Sequence, residues 1–276
     1  MRIASSGATR LFGAALFGFI GPCIALVGSS EREIPGRISF DDQGRHAPMV
    51  LHERHGRNAT SFNWSGYAVT GPYDSVSDVK GSWKVPAIQG ACSSQTQYSS
   101  FWVGIDGYSS NTVEQIGTDS DCQNGSPIYY AWCEFYPHYP YNIPLAISAG
   151  DVISAEVSYL GGKFTVSITD VTTQKSWNTS EKIPNAKRAS AEWIIEDSGG
   201  MLPDFGTVDL GQHYTRVPLT CDATVSGASG PIGSGALAAS LVEITMVASD
   251  GTIMSQPSSL SEDETSFTDT WMNAGP

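Results

Sequence analysis

The chain has 276 residues and a formal net charge of −13, length enough for one large β domain or two small ones. From residue 58 onward 8 Lys and Arg stand against 23 Asp and Glu, a formal −15. A body this acidic excludes a surface made for nucleic acid or anionic membranes, and it suits an acidic medium, where part of the carboxylate charge is neutralised.

The N-terminus reads as an export signal. Arg2 and Arg10 precede an apolar run over residues 11–20, and small residues follow at Gly28, Ser29 and Ser30, the order of an export leader over residues 1–29. Gly21-Pro22 breaks the run, which is too short to span a bilayer, so no membrane anchor is expected and the protein is expected outside the cell. Cys23 should leave with the leader. Cys92, Cys122, Cys133 and Cys221 remain, and in an oxidising compartment they allow up to two disulfides in any of three pairings.

Residues 30–60 carry Pro35, Gly36, Gly44, Pro48 and Gly56 and show no sustained period, as in a linker or a pro-segment. Arg32, Arg37, Arg45, Arg54, Arg57, His46, His52 and His55 lie in this short stretch. Opposite so acidic a body, it is expected to cover the groove at neutral pH and to leave as carboxylates protonate near pH 4. The three His would need a fixed scaffold to hold a metal, and this stretch offers none.

The remainder, residues 61–276, is rich in Gly, Ser, Thr, Val, Trp and Tyr and has no convincing amphipathic helix. Strand-like runs begin near Trp64, Asp78, Ser99, Thr112, Ile128, Val152, Lys163, Ser190, Leu241 and Thr252, with turn pairs at Asn124-Gly125, Gly161-Gly162 and Asp250-Gly251. Short alternating runs between turns predict an all-β sandwich. Strand period two then sorts side chains by face. Phe101, Val103 and Ile105 oppose Trp102 and Asp106. Gln115 and Asp119 oppose Ile116. Trp132, Glu134 and Tyr136 oppose Cys133 and Phe135, and Glu192 and Glu196 oppose Trp193 and Ile195. If the polar sides align, one sheet face carries Trp102, Asp106, Gln115, Asp119, Trp132, Glu134, Tyr136 and Glu192, a groove with acid–base groups and aromatic walls. Trp83, Trp177 and Trp193 read as core or edge aromatics, and His138 and His213 as surface or turn residues.

Several chemistries are disfavoured. With only those two His after residue 60 and no Gly-x-Ser-x-Gly elbow, a Ser-His-Asp triad does not fit. There is no Cys-x-x-Cys and no His-Glu-x-x-His, so neither metal nor other cofactor is expected. Asp197-Ser-Gly199 is half of an aspartic-peptidase signature without its second half. Glu134 and Glu192 beside Trp and Tyr would serve a glycoside hydrolase, and the same aromatics would serve a non-catalytic lectin-like module. On the residues alone these stand level with a hydrolase built on a carboxyl and a carboxamide.

Six blocks in order shift that balance: Asn63-Trp-Ser-Gly-Tyr67, Phe101-Trp-Val-Gly-Ile-Asp-Gly107, Glu114-Gln-Ile-Gly-Thr-Asp119, Tyr130-Ala-Trp-Cys-Glu-Phe-Tyr-Pro137, Ala191-Glu-Trp-Ile-Ile-Glu-Asp197 and Asp204-Phe-Gly206. In sequence and spacing they resemble the glutamic peptidases, the eqolisins, across residues 61–276. The resemblance implies a concanavalin A-like, jelly-roll sandwich of two curved antiparallel sheets, a monomer acting on polypeptides, and a catalytic pair falling on Glu192 and Gln115. It places Trp102, Asp106, Asp119, Trp132, Glu134 and Tyr136 at groove positions that support the pair or touch substrate. Tyr130, Cys133 and His138 depart from some relatives, and the 204–260 stretch is the least similar. In physical terms Glu192 would take a proton from water and Gln115 would donate to the oxyanion. Unperturbed Glu titrates near 4.3, so activity is expected in acid.

Overall fold

The computed structural model describes residues 46–199 and 201–275. The export signal and the first part of the 30–60 segment therefore lie outside the described residues. In chain order the strands are β1 (Leu51–His55), β2 (Asn58–Ser61), β3 (Trp64–Thr70), β4 (Val76–Lys84), β5 (Ser100–Ile105), β6 (Val113–Gln123), β7 (Ser126–Tyr136), β8 (Tyr141–Ala146) and β9 (Val152–Leu160). They continue as β10 (Lys163–Asp170), β11 (Lys175–Glu181), β12 (Ser190–Glu196), β13 (Thr207–Gly211), β14 (Asp222–Val225), β15 (Ala228–Pro231), β16 (Leu241–Val247), β17 (Ile253–Pro257) and β18 (Ser266–Trp271). Two short helices, α1 (Gln212–Thr215) and α2 (Gly235–Ala239), interrupt the second half. No helix among the described residues is long and apolar enough to cross a membrane.

Two layers follow from the pairings. The front layer runs β1–β2–β16–β3–β12–β5–β6–β7–β8, antiparallel throughout except for β2 beside β16. The back layer runs β11–β10–β9–β4, with β14 and β13 sharing the far edge of β4, then β15 beside β14 and β18 and β17 beyond β13. β17 also pairs with β16, which joins the layers at one side. The fold is an antiparallel β-sandwich.

The layers meet where alternation puts apolar side chains. Phe101, Val103, Ile105, Ile116 and Trp193 of the front layer and Val79, Trp83, Val157, Phe164, Val166 and Ile168 of the back layer belong to one buried cluster. Each such side chain contributes about 1.5–3 kcal/mol on burial. Trp83 and Trp193 keep their indole N–H groups bonded, to Thr118 Oγ1 at 2.8 Å and to the carbonyl of Lys80 at 2.8 Å. Trp177 is partly buried against the same cluster. His138 and His213 are more than half exposed.

Two readings are refined. One disulfide forms, Cys92–Cys122; Cys133 and Cys221 are buried free thiols. Cys133 lies on β7 of the front layer and Cys221 precedes β14 of the back layer. Residues 51–61, which show no period, carry β1 and β2, and β2 is hydrogen-bonded into the front layer.

Candidate active site

The second face of the front layer carries the groups in question, and register sets them in rows. Glu192 lies opposite Gly104, Gly104 opposite Gln115 and Gln115 opposite Glu134. The next row is Ile194, Trp102, Gly117 and Trp132, and the third is Glu196, Ser100, Asp119 and Tyr130. Strands lie about 4.8 Å apart, so the backbones of Glu192 and Gln115 are roughly 10 Å apart with one strand between. That strand contributes a glycine to the first row. A Cβ on Gly104 would stand 2.8 Å from the Trp102 ring and 3.2 Å from Gln115 Cβ, so only glycine leaves the space between the pair open. Gly117 does the same between Trp102 and Trp132, where a Cβ would come within 2.6 Å of Trp102 Cβ.

Gln115 is completely buried. Its Nε2 donates to Glu134 Oε2 at 2.9 Å and to the main-chain carbonyl of His46 at 3.3 Å. A carbonyl can only accept, so the amide must face it with its NH2 group. One N–H is thus anchored on Glu134 and the other aims at a peptide carbonyl.

Glu192 is completely buried, and neither of its oxygens has a hydrogen-bond partner of normal geometry. Burial pushes its pKa well above the usual carboxylate range; nearby Asp106 and Glu114 add to the rise, while the Ser190 hydroxyl and the Tyr108 N–H oppose it. Glu114 has the opposite parity to Gln115, facing Ile105 and Phe135 in register. Burial, with Asp106 nearby, pushes its pKa well up too, as befits an acid set among core residues.

Asp106 sits just past β5 at φ 73°, which turns its side chain to the 187–189 loop. Its carboxylate accepts the N–H groups of Lys187, Arg188 and Ala189 at 2.7–2.9 Å. It pins the loop that leads into β12 and makes no hydrogen bond to Gln115. Asp119 accepts from Trp132 Nε1 at 2.5 Å and from the Tyr130 hydroxyl at 2.7 Å. Asp121 lies 2.8 Å from the same hydroxyl and accepts from Ser99 N–H. One phenolic proton cannot serve two carboxylates. Burial and the Asp119 charge push the pKa of Asp121 well up, so the two carboxyls and the one phenol form a coupled, proton-sharing group. Tyr136, at the end of β7, is half-buried against the outer aromatic cluster.

Sequence reasoning left out several parts of this cleft. Glu196 accepts from Trp102 Nε1 at 3.0 Å; its spacing of four from Glu192 on one strand was the available signal. Trp64 packs edge-on against Trp102 with ring centroids 4.9 Å apart. His46 is stacked on Trp132, centroids 3.5 Å apart and planes 6° apart, and nothing in its surrounding sequence marks it. His52 and His55 lie on the exposed β1, away from His46, so the three His do not converge.

The model of the Peptidase A4 family matches residues 62–256, which spans every block of this cleft except the His46 arm. The chain belongs to the Peptidase A4 family. It is a glutamic-type peptidase, a hydrolase. Over 199 residues it is 31% identical to aspergillopepsin-2 of Aspergillus niger, covering 61% of this chain and 68% of that protein. Among solved structures it resembles scytalido-glutamic peptidase bound to a transition-state analog inhibitor, with a TM-score of 0.61 and 21% identity over 76% of this chain and 98% of that one; at that identity the likeness concerns the fold. Aspergilloglutamic peptidase from Aspergillus niger matches with a TM-score of 0.51 and 28% identity over 63% of this chain and 99% of that one.

Proposed function

We propose that this peptidase is a secreted acid endopeptidase, acting as a monomer on polypeptides, in which Glu192 activates the water and Gln115 stabilises the oxyanion. The observation that carries this is the first row of the cleft. A buried carboxyl and a carboxamide with one N–H anchored stand on either side of a glycine gap. As carboxylate, Glu192 takes a proton from water, and the hydroxide adds to the peptide carbonyl carbon. Gln115 Nε2 donates to the resulting oxyanion, an interaction worth about 2.7–4 kcal/mol in comparable sites. The C–N bond then breaks as Glu192 returns its proton to the leaving amine. Glu134 fixes the amide, Trp102 and Trp132 wall the cleft, and Asp119 holds the Trp132 indole.

The raised pKa of Glu192 has a direction. In the closed cleft it keeps its proton at pH values where a free Glu has lost it, so the base becomes available as water enters and the desolvation falls. The leader over residues 1–29 supports export. The segment running up to residue 60 supports a pro-segment, of which the stretch ahead of β1 is the part we expect to leave the cleft.

The test is digestion of an unstructured protein such as casein between pH 3 and 6. Cleavage should persist with a chelator, thiol and serine reagents and a pepsin-type inhibitor present. Chelator sensitivity, or hydrolysis of a glucan in place of casein, would contradict the reading.

A further inference from the structure

We propose that Trp132, Glu196 and Asp119 form a subsite for a planar cationic side chain, and that His46 fills it as part of an internal strap lying in the cleft as a substrate would. The subsite belongs to the residue whose carbonyl Gln115 holds, so it rests on the Gln115 assignment for its register, while the binding itself does not.

The strap is residues 46–50. Gln115 Nε2 donates to the His46 carbonyl at 3.3 Å. The Ala47 N–H donates to Glu196 Oε1 at 3.0 Å, and the Ala47 carbonyl accepts from Trp64 Nε1 at 3.1 Å. Asn63 clamps the next stretch with both ends of its amide, donating to the Pro48 carbonyl at 3.3 Å and accepting the Val50 N–H at 2.7 Å. The Met49 N–H reaches the Gly107 carbonyl at 3.0 Å. All but one of these contacts use cleft side chains and strap main chain. Such contacts tolerate any peptide sequence, so only the His46 side chain is read specifically.

What reads it is selective for shape and charge. The ring lies flat on the Trp132 indole at 3.5 Å, a separation a branched aliphatic side chain cannot adopt. A flat cation over an indole face is attracted by the ring quadrupole. His46 Nδ1 is 3.3 Å from Glu196 Oε2 in a pair that is 1% exposed on both sides. Asp119, backed by Tyr130 and Asp121, faces the same ring; burial raises its pKa, and a positive charge on that ring opposes the rise. An aliphatic group here would leave these acids facing apolar surface, which costs more than a lost hydrogen bond. Imidazolium and guanidinium combine flatness with charge; the Lys ammonium has the charge without the plane. Beyond the strap every residue of β1 is exposed, so the strap is held in the cleft by its own contacts and by the β1–β2 pairing.

The experiment uses the full chain with Glu192→Gln, which prevents cleavage, and His46→Ala, which empties the subsite. Seven-residue peptides copied from positions 44–50, with His, Arg, Phe or Leu at the place of residue 46, are titrated by calorimetry at pH 5. The expected result is binding of the His and Arg peptides about tenfold tighter than Leu, with Phe between, and loss of that ratio when Glu196→Gln is added. In parallel, chains carrying only His46→Ala should digest casein initially about tenfold faster than wild type, with His46→Arg close to wild type. Equal binding of His and Leu peptides, or equal initial rates for wild type and His46→Ala, would overturn the proposal. Absence of casein digestion by every variant would instead count against the peptidase assignment, and the binding ratio would still decide the subsite.

Discussion

Glu192 and Asp269 are both completely buried carboxyls, both pushed up by desolvation, and their surroundings give them opposite work. Asp269, on β18, accepts from Ser65 Oγ at 2.6 Å and from Ser255 Oγ, so it ties together three strands where the two layers join. Glu192 has no partner of normal geometry. A buried polar group with its bonds made stabilises the fold, and one without them costs stability. The cost at Glu192 is located beside Gln115, in a cleft, and is what a site with a reactive base accepts. Burial and shifted acidity alone do not separate the two; hydrogen-bond partners do.

The largest effect expected from this contrast concerns Asp269 and stability. Its pKa in the folded chain lies at about 7 against an ordinary 3.8, so between those values the folded chain binds a proton that the unfolded chain has lost. Unfolding free energy therefore falls as pH rises through that window, by roughly 4 kcal/mol from this one group. Chemical denaturation of wild type at pH 4 and pH 7 should show the fall, and Asp269→Asn should flatten it. A wild type as stable at pH 7 as at pH 4 would remove Asp269 from this role. Glu114, Asp121 and Glu192 shift in the same direction, so the whole fold should be acid-stable.

Next in size is Gln115→Ala, which removes the proposed oxyanion donor and should lower kcat about 100- to 1000-fold with an unchanged circular dichroism spectrum. Asp106→Ala sharpens the contrast from the other side. It orphans three loop N–H groups that the carboxylate now accepts, so it should lower stability by about 3 kcal/mol, seen as a lower Tm, whereas Glu192→Gln should leave Tm unchanged or raise it. Smallest is Glu134→Gln, which keeps an acceptor for Gln115 and should cost about tenfold in kcat through loosened positioning. As large a loss there as at Glu192 would favour two equivalent carboxyls.

The strands legible in the sequence all bury at least one face. Runs beginning near Trp64, Ser99, Thr112 and Ser190 became β3, β5, β6 and β12, because their alternation reports a core on one side. Of the missed strands, β1, β11 and β15 are exposed along much of their length, so no face was marked, while β2, β8, β13, β14 and β18 bury part of their length but run only four to six residues. The groove face was legible for the same reason of parity, while its rows were not. Period two puts Gln115 and Glu192 each on the polar side of its own strand, but only cross-strand register aligns those sides, with Gly104 between them and Glu134 on the far side of Gln115. Asp106 has the parity of the groove, yet its φ of 73° turns it to the loop, and nothing local announces that. Asn63 reads as a glycosylation sequon with Ser65, but its amide is bonded to the strap on both ends, which leaves no room for a glycan.

The central claim is that hydrolysis in this cleft depends on Glu192 as its base. The most direct measurement is the casein-digestion rate of Glu192→Gln beside wild type at acid pH, with circular dichroism and Tm recorded on the same samples. A positioned general base contributes about 10²–10⁴ in rate, so the variant should lose at least 100-fold while its spectrum stays native and its Tm does not fall. A native variant that digests casein at the wild-type rate would contradict the account.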